Sequence, residues 1–148
     1  MSTATTMKQE RVDHANQLIR IIGSHGRRFF YHAPENRFAR LELRAGRVYF
    51  IDDYSDRAIY THRSGFTSRW RGFSHGGTLR SLIELMRDYI VHGTQIAPWY
   101  IAPHYSRGNI WGYDEQAAKA VRDAAYQLPI VGPTPAGLET SAPSTFPA

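Results

Sequence analysis

FARLELRAGRVYFID, residues 38–52, alternates apolar and polar side chains on either side of an Ala45-Gly46 step. Alternation with a period of two marks a half-buried strand, and a two-residue step containing glycine between two such runs marks a hairpin. Two loops fit, and a bulged three-residue loop would change every partner; with the two-residue loop Ala45-Gly46, Leu43 faces Val48 and Leu41 faces Phe50 on one side. Arg44 faces Arg47 and Glu42 faces Tyr49 on the other. The first side is the core side and the second is exposed, because a pleated strand sends successive side chains to opposite faces. Arg44 and Arg47 then oppose each other with like charge, which is unfavourable in a hairpin and points to a splayed turn or a bound anion.

Working outward, Arg28-Phe29-Phe30-Tyr31 and Arg57 to Thr61 repeat the strand-like composition. Pro34-Glu35-Asn36 and Asp52 to Asp56 supply turn residues between the runs. Upstream, Val12, Ala15, Leu18, Ile19 and Ile22 recur at helical spacing within Lys8 to Ile22, a helix that should stop near Gly23. Downstream, Thr78 can cap a helix that buries Leu79, Leu82, Ile83, Met86, Tyr89 and Ile90 and stops at Gly93. Residues 95–112 are rich in proline and aromatics without a period and read as an ordered loop. Asp114 caps a third helix carrying Ala117, Ala118, Val121, Ala124, Ala125 and Leu128. The expected class is α+β: an N-terminal helix, a three- to four-stranded antiparallel meander, then two helices on one face of the sheet. Residues 1–131 form the expected single domain, and 132–148 a flexible tail in a stretch that begins at Pro129 and holds five of the eight prolines.

A chain of 148 residues with 42% hydrophobic side chains can bury its own core. The polar N-terminus and the lack of a long apolar run disfavour a signal peptide and a membrane span. Zero cysteines exclude disulfides, thiolate metal sites and thiol catalysis, which fits a cytoplasmic protein.

Charge carries the main functional signal. Between Arg20 and Arg80 lie twelve arginines and five acids, whereas the rest of the chain is slightly acidic. Coding bias explains why sixteen of eighteen basic residues are arginine, but not why twelve crowd into one segment. Concentrated positive charge among aromatics suits a polyanion, so nucleic acid or an acidic protein surface is the expected partner. The candidate anion-binding residues are Arg40, Arg44, Arg47 and Tyr49 on the outer face. Gly76, Gly77, Thr78 and Arg80 add backbone amides and a cation at a helix N-terminus. A second candidate partner surface is the aromatic loop with Trp99, Tyr100, Tyr105, Arg107 and Trp111.

Gly72-Phe73-Ser74-His75-Gly76 matches the nucleophile-elbow pattern ahead of a helix, which makes Ser74 a weak catalytic candidate. The chain is too short for the hydrolase sheet that presents such an elbow, so a flexible turn entering the helix is preferred. Asp52, Asp53 and Asp56 lack the spacing of a calcium loop and read as a strand-ending turn. The histidines show no zinc-ligand pairing, and no metal or cofactor is expected.

Gly76-Gly77-Thr78-Leu79-Arg80, then Arg87-Asp88-Tyr89-Ile90 with Gly93, then Trp111-Gly112-Tyr113 and an alanine-rich helix resemble small proteins encoded by bacteriophages and mobile elements. The resemblance spans residues 70–131 and implies no catalytic residues. It implies an accessory role of the kind such proteins take, binding nucleic acid or inhibiting a host complex, defence systems included.

Overall fold

The computed structural model describes residues 3–25, 28–62, 70, 73–75, 77–101 and 114–132. Helix α1 (Thr3–Ser24) leads into a short hairpin, β1 (Tyr31–His32) and β2 (Arg37–Phe38), joined by a 3-10 turn at Ala33–Glu35. A three-stranded antiparallel sheet follows, β3 (Arg40–Arg44), β4 (Arg47–Ile51) and β5 (Ala58–Tyr60), in the order β3-β4-β5. Helices α2 (Gly77–His92), α3 (Pro98–Ile101) and α4 (Glu115–Ala125) complete an α+β fold.

The register is the one the alternation predicts: Leu43 pairs with Val48, Leu41 with Phe50, Glu42 with Tyr49 and Arg44 with Arg47. Ala45 and Gly46 both take positive φ, 52° and 77°, as a type I′ turn requires. That turn follows the strand twist and does not splay. Two expectations for the flanks fail for backbone reasons. Arg28 and Phe30 adopt left-handed φ values of 55° and 66°, so the run from Arg28 to Tyr31 is not a continuous strand. The run from Phe38 to Arg44 breaks at Ala39, whose N–H turns to the Phe30 carbonyl and separates β2 from β3.

One side of the sheet, carrying Leu41, Val48, Phe50 and Ile59, joins a core with Leu18, Ile19, Leu82, Ile83, Met86 and Ile90. Helix α1 packs on β3, α2 and α4, and α2 packs on β4. Asn16 ties α1 to the edge strand β3. Its Oδ1 accepts from the Leu41 N–H at 2.7 Å and its Nδ2 donates to the Leu41 carbonyl at 3.0 Å. Those are backbone groups that an edge strand otherwise leaves to solvent or to another chain.

Helix α1 starts earlier than its apolar period and runs through Gly23 to Ser24. Gly23 continues the helix because it sits under the Phe38 ring: a Cβ there would lie 2.7 Å from Phe38 Cε1 and 3.0 Å from the Phe29 carbonyl oxygen. Gly-to-Ala in an exposed helix interior normally gains up to about 1 kcal/mol. Gly23→Ala should instead cost about 1–3 kcal/mol in urea denaturation, because the core is overpacked there. A gain in stability would show that Phe38 yields without penalty.

Helix α2 begins at Gly77, which places Thr78 inside the first turn and not at the cap. Its far end is as expected: Gly93, at φ 80°, donates to the Tyr89 carbonyl, and Arg11 Nη1 donates to the Ile90 carbonyl. The expected loop over residues 95–112 contains the short helix α3. Asp114 caps α4 by accepting from the Ala117 N–H at 2.7 Å. Ala118, Val121 and Ala125 are buried as the spacing predicts, whereas Ala124 is exposed. The chain stays docked beyond Pro129: Ile130 and Val131 are buried, Val131 bridges Ile96, and the Gly132 N–H donates to the Ile96 carbonyl. The rest of the expected tail lies outside the described residues.

Candidate functional site

Tyr49 on β4 and Tyr60 on β5 are direct cross-strand partners on the outer face, with ring centroids 5.5 Å apart. Arg44 on β3 lays its guanidinium 5.4 Å from the Tyr49 ring, and His62 follows 5.3 Å from Tyr60. A ladder of planar groups therefore crosses the sheet on the face turned away from the core. Arg40, Arg44 and Arg47 are exposed beside it, and Tyr49 and Tyr60 are half-buried. Period-two alternation turns Ile59 inward and so Tyr60 outward, opposite Tyr49.

The like-charge opposition of Arg44 and Arg47 is eased from within β3 by a carboxylate on the Arg44 side. Glu42 sits between Arg40 and Arg44 on β3 and pairs with both, at 3.0 and 3.1 Å. Burial works to raise the Glu42 pKa, but hydrogen bonds from Arg44 and Arg40 outweigh it and hold the carboxyl below its ordinary range. The clasp draws Arg44 back along its own strand. Arg47, across the turn, and Arg57, ahead of β5, form no ion pair among the described residues. The positive charge of the sheet is thus weaker than the arginine count, and its arginines without an ion pair among the described residues are Arg47 and Arg57.

His62 adds no charge at neutral pH. Its Nε2 accepts from the Val48 N–H at 3.1 Å, which needs the neutral ring. Burial and the nearby Arg87 and Arg47 cations lower its pKa further.

Ser74 and His75 do not form a relay with each other. Ser74 N and Oγ both donate to Asp52 Oδ1, at 2.9 and 3.1 Å, and His75 Nε2 meets Asp53 Oδ1 at 2.5 Å. Consecutive residues 52 and 53 therefore grip consecutive residues 74 and 75. The His75 ring is wedged edge-on against Phe30 and Phe73. In place of a flexible turn, the chain is anchored at these two positions, and no histidine among the described residues is hydrogen-bonded to Ser74.

Asp52, Asp53 and His75 bring ligand atoms within 4.8 Å of one another. Asp52 nonetheless accepts from Tyr54 N, Ser55 N, Ser55 Oγ, Ser74 N and Ser74 Oγ, while a carboxylate offers about four lone-pair sites. No acceptor capacity is left on it for a cation, and the cluster is a structural clasp. Asp56, the third acid of the turn, lies 3.9 Å from Arg37 Nε.

Of the residues at the start of α2, Gly77 and Thr78 open the helix, and Gly76 lies outside the described residues. Arg80 turns to the Trp70 ring, 4.8 Å from its centroid, and to Glu84 at 3.6 Å. In the aromatic loop, Tyr100 packs against the core, where burial and Glu84 raise its pKa. The Trp99 backbone belongs to α3, and Tyr105, Arg107 and Trp111 lie outside the described residues.

A protein-family model described as YoqU matches residues 6–136, nearly the whole of this architecture. The chain belongs to the YoqU family. A similar protein is the "SPbeta prophage-derived uncharacterized protein YoqU" of Bacillus subtilis (strain 168), 28% identical over 119 residues, which are 80% of this chain and 81% of that one. The prophage origin of that relative bears out the resemblance to small phage proteins. The YoqU match also extends it from residues 70–131 to the sheet and α1. No solved structure matches the chain. No helix among the described residues is long and apolar enough to cross a membrane.

Proposed function

We propose that this YoqU-family protein binds single-stranded nucleic acid on the outer face of β3-β4-β5. The observation that carries the reading is the Tyr49–Tyr60 pair, two aromatic rings set side by side on the face away from the core, with Arg44 over one ring and Arg47, which has no ion-pair partner among the described residues, at the hairpin end. Exposed aromatics on a small sheet stack on unpaired bases, each stack being worth about 1–3 kcal/mol, and adjacent arginines take the phosphates. A duplex hides its base faces and would use only the charge. The prophage origin of the relative suits an accessory protein that handles nucleic acid during infection or lysogeny, and no catalytic group is required.

Fluorescence anisotropy with labelled single-stranded DNA and RNA of about 12 nucleotides, and a duplex of equal length, tests the reading, that length falling within the span one small sheet covers. Single strands should bind more tightly than duplex, and affinity should fall as salt rises. Absence of salt-dependent binding to any of them at low ionic strength would transfer the face to the other expected partner, an acidic protein surface.

A further inference from the structure

We propose that the cleft between α1 and the β2–β3 segment binds the phosphate groups of a small phosphorylated molecule of nucleotide size. The cleft is open to solvent on one side and has a volume of about 630 Å³, and Arg20, Arg37, Arg40, Glu35, Asn36 and Phe38 are among the residues lining it. Small-molecule sites fall in this range of volume. Three guanidinium groups from three separate elements thus share one cavity with one carboxylate.

Arg20 is held by an aromatic ring, Arg37 by two carbonyls with the Asp56 carboxylate 3.9 Å away, and Arg40 by Glu42, and each keeps donors that have no partner among the described residues. Arg20 stacks 4.9 Å over the Phe38 ring, an arrangement that engages its face and leaves its in-plane N–H groups without a partner among the described residues. Arg37 donates through Nε to the Asp53 carbonyl at 2.8 Å and through Nη2 to the Tyr54 carbonyl at 3.0 Å, and its Nη1 has no partner among the described residues. Arg40 gives Nε and Nη2 to Glu42, and its Nη1 likewise has no partner among the described residues. Asn36, its Oδ1 taken by the Tyr31 hydroxyl at 2.7 Å, keeps its amide N–H groups. The donors are positioned before any ligand arrives, so little side-chain entropy remains to be lost on binding. Guanidinium forks match phosphate oxygens in geometry and charge. Arg37 is fixed by carbonyls of the same turn that Asp52 organises, which couples the cleft to the clasped end of the sheet.

The cleft shares only Arg40 with the sheet face, so the two sites separate by mutation. Isothermal titration with inorganic pyrophosphate and with ADP at low ionic strength is the test. Wild-type protein should bind both at one site per chain, with affinity falling as salt is raised. Arg20→Gln, an exposed change, should weaken both at least tenfold while the melting temperature without ligand stays the same. Arg57→Gln, an exposed change outside the cleft that removes the same single charge, should leave both affinities nearly unchanged. Failure to bind either compound at millimolar concentration would overturn the proposal. So would an Arg20→Gln protein that binds like wild type, or an Arg57→Gln protein that weakens binding as much as Arg20→Gln does, since the effect would then be diffuse charge. Oligonucleotide binding through Tyr49 and Tyr60 stands or falls in a separate measurement.

Discussion

Asp52→Ala should destabilise the fold by roughly 3–5 kcal/mol, because several neutral donors lose their acceptor together and each buried one left unsatisfied costs about 1–3 kcal/mol. The side chain is fully buried and accepts from backbone N–H groups of Tyr54, Ser55 and Ser74 and from two serine hydroxyls. Alanine would strand those donors, whereas Asp52→Asn keeps one acceptor oxygen and should cost less. Urea denaturation at neutral pH measures both. Acidity gives a second readout. Burial works to raise the Asp52 pKa, but the hydrogen bonds from Ser55 and Ser74 win and lower it below its ordinary value. The folded state thus favours the carboxylate more than the unfolded chain does. Its contribution is complete above the unfolded pKa near 4 and is lost as pH falls through the lower folded value. Asp52→Asn should flatten that acid loss of stability. An unchanged denaturation midpoint in Asp52→Ala would show that the turn and the segment entering α2 are held together by something else.

The same clasp shows where the sequence can be read and where it cannot. Strand register was legible because it rests on a local rule: Ala45-Gly46 permits two positive φ values, and alternation then assigns every partner from Arg40 to Ile51. The helices were legible for the same reason, their apolar period and the Asp114 cap lying within a few residues of each other. The clasp depends on two segments separated by 22 residues meeting side by side, and no spacing rule announces that. Asp52 and Asp53 consequently read as an ordinary turn, and Ser74 as part of an elbow motif. The breaks at Phe30 and Ala39 are hidden likewise, because Phe30 fills the core from a left-handed backbone while its composition still looks like strand. Glu42 is an intermediate case. Arg40-Leu-Glu42-Leu-Arg44 places three charges on one face of one strand, so the pairing that disarms the Arg44–Arg47 opposition follows from alternation. Tyr60 becomes visible once β5 is paired with β4, since its partner is then Tyr49.

Arg47→Glu should cut the affinity for single-stranded nucleic acid by tenfold or more at low salt while leaving the fold intact. Arg47 is the cleaner choice of the hairpin arginines because Arg44 is clasped by Glu42, and reversing Arg44 would set two carboxylates side by side. Reversing Arg47 removes no ion pair among the described residues and puts an opposite charge across from Arg44, so stability should change by no more than about 0.5 kcal/mol. With one fewer phosphate of a single strand neutralised, the slope of log affinity against log salt should shrink by about 0.7. Tyr60→Ala makes the complementary change. It removes a stacking platform and no charge, so affinity should fall by about 1–3 kcal/mol with the salt slope unchanged. His62 is already neutral at pH 7, so raising the pH from 7 to 8 should leave wild-type affinity where it is. The two variants thus move different observables through adjacent side chains on one face. If Tyr60→Ala binds single strands as tightly as wild type and Arg47→Glu weakens duplex and single strand alike, the rings are not reading bases. The face would then be only a charged surface.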